Sequence, residues 1–119
     1  MQIDQLLSRY QAGERDFSKA DLSGADLSGA DLSGSNLNMA NLKGANLSEA
    51  NLSEANLNGA ILQRANLSQA NLTNANLNMA DMGFANLTNA NLTGASTQMT
   101  ILFRARLSGA QMPQKESKE

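Results

Sequence analysis

Four aspartates at intervals of five residues form a cluster whose composition suits a cation site. They are Asp16, Asp21, Asp26 and Asp31. Carboxylate oxygens are preferred ligands of hard cations such as Ca²⁺ and Mg²⁺, so these side chains would bind a cation if the fold brought them to one point. Whether they converge depends on the elements that carry them, and the spacing of five has to be explained first.

The composition contains few other residue types that carry catalysis or metal binding. The 119 residues include no histidine and no cysteine, which excludes the usual nucleophile–base pairs, soft metal sites and disulfides. A glycine-rich phosphate loop is also missing. We therefore predict that the protein is not an enzyme, and we assign it no catalytic residues and no cofactor.

Charge and hydropathy narrow the expected partners and location. The net charge is −2 and the pI is about 5.0, so the chain lacks the global basic surface that binds nucleic acid. No apolar run approaches the ~18 residues of a membrane span, and the first residues, MQIDQLLSRY, lack the regions of a signal peptide. We expect a cytoplasmic protein that contacts neither nucleic acid nor membrane.

A five-residue repeat runs from Asp16 to Met112. Its central position occurs twenty times, beginning at Phe17, and is leucine in sixteen of them. Alanine stands two residues before the centre in seventeen of the twenty repeats, and Asp or Asn stands directly before it in fifteen. So regular a pattern has to be explained before any other feature, because repeats specify the architecture.

A period of five fits neither a regular helix nor a long strand. On a helix the leucines would advance about 500° per repeat and leave no apolar face, and on a strand an odd period would alternate the faces. Within one repeat, however, Ala-x-Leu places two side chains on the same side of an extended piece. The polar and glycine residues that follow suit a turn. The pattern predicts an all-β solenoid.

A second period, of twenty residues, organises the variable positions. The clearest columns are Asn38, Asn58, Asn78 and Met39, Met79, Met99. Four repeats per coil would stack these like side chains and would give about five coils, roughly 24 Å in height. The same geometry puts the four aspartates on four different outward faces. It therefore predicts a solvated ring of carboxylates and no metal site.

The tandem pattern A-[DN]-L-x-x, as in ANLSEANLSEANLNGA, resembles the pentapeptide-repeat family. The resemblance covers residues 15–112. It implies a right-handed quadrilateral β-helix with four pentapeptides per coil, leucine at the centre of each face and alanine beside it. The sequence departs from the family pattern mainly in the fifth coil, at Ser96, Thr97, Thr100, Arg106 and Gln111.

The ends of the predicted solenoid need covering, because they would expose core side chains and unpaired backbone. Residues 1–14 predict a short N-terminal capping α-helix, with Gly13 as its C-terminal stop. The apolar residues of this helix have i, i+3, i+4, i+7 spacing: Ile3, Leu6, Leu7 and Tyr10. The repeats then occupy residues 15–112, and residues 113–119 are expected to be a disordered polar tail.

One face of the predicted solenoid carries apolar, aromatic and arginine side chains that point outward. We call it the aromatic face, and its central residues are Leu22, Leu42, Leu62, Met82 and Leu102. The candidate interface on and beside it consists of Ile61, Arg64, Met79, Phe84, Met99, Ile101, Phe103 and Arg104. This composition is typical of a protein interface, although the same side chains could simply cover the turns.

The sequence thus predicts a non-enzymatic structural or protein-interaction module. It does not identify the partner of that module. A homodimer through the C-terminal half is expected, by the aromatic face or by the end of the fifth coil.

The family resemblance also implies an alternative function. Some pentapeptide-repeat proteins mimic duplex DNA and bind a type II topoisomerase (DNA gyrase), which requires a strongly acidic tower. Here residues 16–60 carry six acidic and two basic residues, whereas residues 61–119 carry three acidic and five basic ones. Only half of the tower is acidic, so we rank DNA mimicry second.

Overall fold

The computed structural model describes residues 1–113, which form one helix followed by a continuous solenoid. The helix, α1, spans Ile3–Gln11. After it, no strand of the described chain is longer than a single bridging residue. Every bridge is parallel and joins residues twenty positions apart, from Asp16–Asn36 to Asn91–Gln111. The predicted polar tail lies, apart from Pro113, outside the described residues.

One turn of the solenoid therefore takes four pentapeptides, as the side-chain columns indicate. We name the successive coils by their residues: first coil 16–35, second 36–55, third 56–75, fourth 76–95 and fifth 96–113. The bridges continue to Gln111 in spite of the irregular residues of the fifth coil. The departures from the repeat thus leave the five-residue register of the backbone intact.

Backbone hydrogen bonds between coils repeat with every pentapeptide. In the second coil, the N–H groups of Leu47 and Glu49 donate to the carbonyl oxygens of Asn66 and Ser68 at 2.7 and 2.9 Å. The Ala50 N–H closes a turn onto the Leu47 carbonyl at 3.1 Å. These bonds satisfy backbone polar groups that would otherwise lie beside an apolar interior without a hydrogen-bond partner.

Each corner of a coil requires a residue with a left-handed backbone conformation, two positions after the central residue of the pentapeptide. Nineteen such positions have φ between 57° and 76°, and twelve of them are not glycine. This geometry fits the third residue of a type II turn, where glycine or asparagine is preferred. Glu49 (φ 61°) and Phe84 (φ 59°) adopt it nevertheless, at roughly 1 kcal/mol each. The stacked coils therefore impose a backbone conformation that these residues disfavour in isolation.

The interior is a column of leucine and alanine. The central residues from Phe17 to Leu92 are all buried, and so are the alanines from Ala40 to Ala95. In the fifth coil the burial fades, because Leu102 is only half-buried while Leu107 and Met112 are 37% and 40% exposed. Burial thus depends on a neighbouring layer and not on the repeat alone.

The helix α1 lies against the first coil. Leu6 is fully buried, and Ile3, Leu7 and Tyr10 pack against the core as their spacing predicts. The Tyr10 hydroxyl donates to the Ser33 carbonyl oxygen at 2.6 Å, which ties the C-terminal end of α1 to the solenoid. No helix within residues 1–113 has the length and apolar character that a membrane crossing requires.

Candidate functional site

The four aspartates of the first coil lie apart, and each of them is used locally. They bridge to four successive second-coil residues, Asn36, Asn41, Asn46 and Asn51. The Oδ1 atom of Asp26 accepts hydrogen bonds from the Ser28 hydroxyl at 2.8 Å and from its N–H at 3.2 Å. These hydrogen bonds hold the pKa of the Asp26 carboxyl below its usual value. The carboxylates therefore act as acceptors that stabilise the turns.

Clusters suited to metal binding are not found among residues 1–113, where no three His, Cys, Asp or Glu side chains are placed to hold an ion. The surface depressions there are shallow. One of them lies where α1 meets the first coil, lined by Met1, Ile3 and Asp21 among others.

The aromatic face brings together side chains from three successive coils. The rings of Phe84 and Phe103 meet edge to face, with centroids 5.6 Å apart and an interplanar angle of 83°. The guanidinium carbon of Arg64 lies 4.6 Å from the centroid of Phe84, and that of Arg104 lies 5.6 Å from the centroid of Phe103. Both rings remain exposed, at 44% and 62%. These four side chains form a preformed column on the surface, which we call the Arg–Phe stack.

The two arginines of the Arg–Phe stack have no carboxylate partner within residues 1–113. The salt bridge of that part of the chain joins Arg9 Nε to Glu14 Oε2 at 2.6 Å, on the opposite end of the molecule. Arg64 and Arg104 are exposed, and a guanidinium over a ring face gains only about 0.5–1 kcal/mol at such sites.

The remaining predicted interface residues border the Arg–Phe stack. Ile61 and Ile101 are exposed on the aromatic face, and Met79 and Met99 are exposed at the corner before it. Gly59 interrupts the methionine column, and Met39 leans over it, since a Cβ at Gly59 would lie 3.3 Å from Met39 Cγ. The structure therefore groups all eight predicted residues on one side, in the last three coils.

Sequence reasoning missed three polar contributors to this face. The Asp81 carboxylate accepts a hydrogen bond from Gln63 Nε2 at 2.6 Å and another from the Gly83 N–H at 3.0 Å. Lys43 is exposed in the same column as Gln63 and Gly83. It lies one coil from Gln63 and two coils from Gly83. The period of twenty could have located all three, because it places Lys43 and Gln63 in the column of Phe103 and Asp81 in the column of Ile61 and Ile101.

The family comparison identifies the repeats throughout the solenoid. A family model described as pentapeptide repeats, with eight copies, matches residues 16–49, 50–83 and 80–114. The comparison with curated proteins gives no match.

Solved structures with similar chains include three pentapeptide repeat proteins. Rfr23 from the cyanobacterium Cyanothece is 45% identical with a TM-score of 0.64, and the alignment covers 80% of this chain and 60% of Rfr23. A protein from the Arabidopsis thaliana thylakoid lumen is 36% identical with a TM-score of 0.51, over 80% of this chain and 72% of that one. HetL from Nostoc is 33% identical with a TM-score of 0.41, over 87% and 60%. This chain therefore spans about three fifths of the length of Rfr23 and of HetL.

Proposed function

Because this chain belongs to the pentapeptide-repeat family, whose members form right-handed β-helices, we propose that it is a non-enzymatic protein-binding module. The proposal includes five coils of the quadrilateral type, with α1 acting as the cap of the first. Its binding surface is the aromatic face, with the corner residues Met79 and Met99 at its border.

The observation that carries this proposal is the exposed Arg–Phe stack. Phe84 is held in the left-handed region, at φ 59°, where glycine occupies seven of the nineteen equivalent positions. A bulky aromatic residue at such a position is conformationally unfavourable and leaves half of its ring in water. The stack supports binding because aromatic and arginine side chains are the ones that dominate interface energetics.

A capture experiment with a double variant, Phe84→Asn with Phe103→Asn, tests the surface. Asparagine tolerates a positive φ, so this variant removes the rings and respects the turn at position 84. Wild-type protein and variant would be immobilised and exposed to an extract of the cells from which the protein comes. Proteins that bind the wild type and are lost from the variant would support the aromatic face as the binding surface.

The matched control is Gln69→Asn, which changes a left-handed corner residue (φ 60°) on the neighbouring side of the third coil. This variant should retain the same proteins as the wild type. If the double variant also retains them all, the aromatic face is not the binding surface.

DNA mimicry is the second candidate, and the charges of this chain favour it less. In the third to fifth coils, residues 56–113, Asp81 is the single acidic residue, whereas Arg64, Arg104 and Arg106 are basic. A duplex mimic needs a continuous acidic surface to compete for a DNA-binding groove. A supercoiling assay with DNA gyrase separates the two functions, since inhibition at near-equimolar protein would favour mimicry.

A further inference from the structure

Three methionines project from one corner of the solenoid. Met39, Met79 and Met99 occupy the same column, and each has a left-handed backbone, at φ 59°, 62° and 59°. We call these three residues the methionine column. They are 56%, 57% and 78% exposed, although methionine is among the residue types most often buried. Their thioethers are therefore in contact with water.

A thioether differs chemically from the other apolar side chains, because hydroperoxides oxidise it to a sulfoxide. The 119 residues contain no cysteine, so no thiol of this chain competes for the oxidant. Of the other methionines, Met1 and Met112 are 41% and 40% exposed, whereas Met82 occupies a central position and is fully buried. An oxidant dissolved in water thus reaches the methionine column far more readily than Met82.

We propose that Met79 and Met99 are a site of reversible oxidation by hydroperoxides, which makes the border of the aromatic face polar while the solenoid stays folded. The effect on binding rests on the proposed function, because these two side chains border the proposed binding surface. The oxidation itself does not depend on that function and is measured separately.

The reaction transfers one oxygen atom. A lone pair of Sδ attacks the terminal oxygen of the hydroperoxide, the S–O bond forms and the O–O bond breaks. The sulfur loses two electrons, and the proton of the transferred oxygen moves to the oxygen that leaves, which gives an alcohol or, from hydrogen peroxide, water. Reversal consumes two thiols and yields a disulfide and water, as in the thiol-dependent methionine sulfoxide reductases. This chain contains no thiol, so the reductant is a separate protein.

The corner keeps its hydrogen bonds when the thioether is oxidised, because the backbone makes them. The Met79 N–H donates to the Gln98 carbonyl oxygen at 2.9 Å, and the Ala80 N–H closes the turn onto the Leu77 carbonyl oxygen at 3.0 Å. A polar side chain of similar length already occupies an equivalent corner at Gln69, with φ 60°. A sulfoxide at Met79 or Met99 is therefore compatible with the folded solenoid.

The methionine column and the Arg–Phe stack lie at opposite edges of the aromatic face, since each face runs from one corner to the next, five residues later. Met99 precedes the exposed Ile101 and Phe103 of that face. A partner that spans the face contacts both edges. A sulfoxide in such an interface loses apolar contact and has to be desolvated, so oxidation of Met79 and Met99 weakens binding.

Met39 supplies the internal control. It has nearly the same exposure as Met79, so the two should be oxidised at similar rates. It borders the second coil, where the equivalent face residues are Asn41, Lys43 and Gly44, and no aromatic side chain lies between those corners. Oxidation of Met39 should therefore leave binding at the aromatic face unchanged.

Peptide mass mapping during treatment with hydrogen peroxide tests the site. In the full-length protein, Met79 and Met99 should be oxidised at least about tenfold faster than Met82. The urea concentration at the midpoint of unfolding should stay the same once both are sulfoxides. Equal rates at all three methionines, or an unfolded product, would overturn the proposed site.

The capture experiment, repeated with oxidised protein, tests the effect on binding. Proteins that bind the wild type should be retained at least about fivefold less after oxidation and should return after treatment with a methionine sulfoxide reductase. Met79→Gln with Met99→Gln makes the border permanently polar, so its retention should be low and should no longer respond to peroxide. The control Met39→Gln should respond to peroxide as the wild type does.

The outcomes separate this inference from the proposed function. Unchanged retention after complete oxidation of Met79 and Met99 would overturn the effect on binding, while the proposed function would stand. A wild type that retains no protein would contradict the proposed function and with it that effect, whereas mass mapping still decides the oxidation site.

Discussion

The first and fifth coils have the same pentapeptide register and opposite degrees of burial. The central residues of the first coil, Phe17 to Leu32, are at most 2% exposed, although this coil has a neighbouring coil on one side only. In the fifth coil, which also has one neighbouring coil, Leu107 and Met112 are 37% and 40% exposed. The difference is α1, which packs on the first coil. The repeat therefore determines which way a side chain points, and the adjacent layer determines how far that side chain is shielded from water.

Deleting residues 1–12 should make the first coil resemble the fifth, and this is the largest effect we predict. The deletion removes Leu6 and uncovers Phe17 together with the neighbouring leucines and their backbone edge. We expect a stability loss greater than that of any single Leu→Ala change, with aggregation or new oligomers in size-exclusion chromatography. A truncated protein as monodisperse and as stable as the intact one would show that α1 does not cap the solenoid.

Truncating a central leucine in the middle of the solenoid should lower the free energy of unfolding far more than truncating a central leucine in the fifth coil. Leu52 is fully buried between coils, so Leu52→Ala should lower the free energy of unfolding by about 2–5 kcal/mol. Leu107→Ala, at a partly exposed position, should cost less than about 1 kcal/mol. Urea denaturation measures both values. Equal losses would contradict the difference in burial between the two coils.

Ser35 ends the first coil and offers a stabilising change. It occupies an alanine position, is fully buried, and its Oγ atom has no hydrogen-bond partner among the described residues. Ser35→Ala should raise the free energy of unfolding by about 1 kcal/mol, because a buried hydroxyl without a partner is unfavourable. The control is Ser108→Ala on the exposed surface of the fifth coil, which should change stability by less than about 0.5 kcal/mol. A destabilised Ser35→Ala protein would mean that the hydroxyl is satisfied in solution.

The aspartates of the first coil should make a small, acid-dependent contribution that the fifth coil lacks. Hydrogen bonds from serines lower the pKa values of Asp21, Asp26 and Asp31 in the folded state. A lowered pKa stabilises the fold above the unfolded value near 3.8, and this stabilisation is lost as pH falls through the folded value. The urea concentration at the midpoint of unfolding should therefore decrease once the pH falls below about 4.

The control for the pH effect replaces all four aspartates by asparagine, the residue that fills most of the same positions in coils two to four. Asparagine keeps the Oδ1 acceptor of the turn, as Asn46 does for Ser48 at 3.1 Å, but it does not titrate. The variant should match the wild type near neutral pH and lose part of the acid sensitivity. An unchanged acid profile would show that these carboxylates do not contribute to it.

Much of the candidate site could be predicted from the columns of the repeat. The period of twenty grouped Ile61, Phe84, Ile101 and Phe103 on one side, because coils of equal length stack equivalent positions. It did not predict that Arg64 lies over Phe84, or that Gln63 binds Asp81. Those contacts depend on side-chain rotamers that reach from one coil to the next, and a column assignment contains no rotamers.

By itself the sequence determined which side chains point into the solenoid and which point out, the number of repeats in a coil and the helix at the N-terminus. These properties are local or strictly periodic, since a buried Leu–Ala pair and a polar turn recur with every five residues. Only the tertiary structure decided the burial of Ser35, the exposure of Leu107 and the left-handed backbone at twelve residues other than glycine. The reason is that neighbouring layers, and not neighbours along the chain, exclude water and force the corners of a stacked solenoid into one conformation.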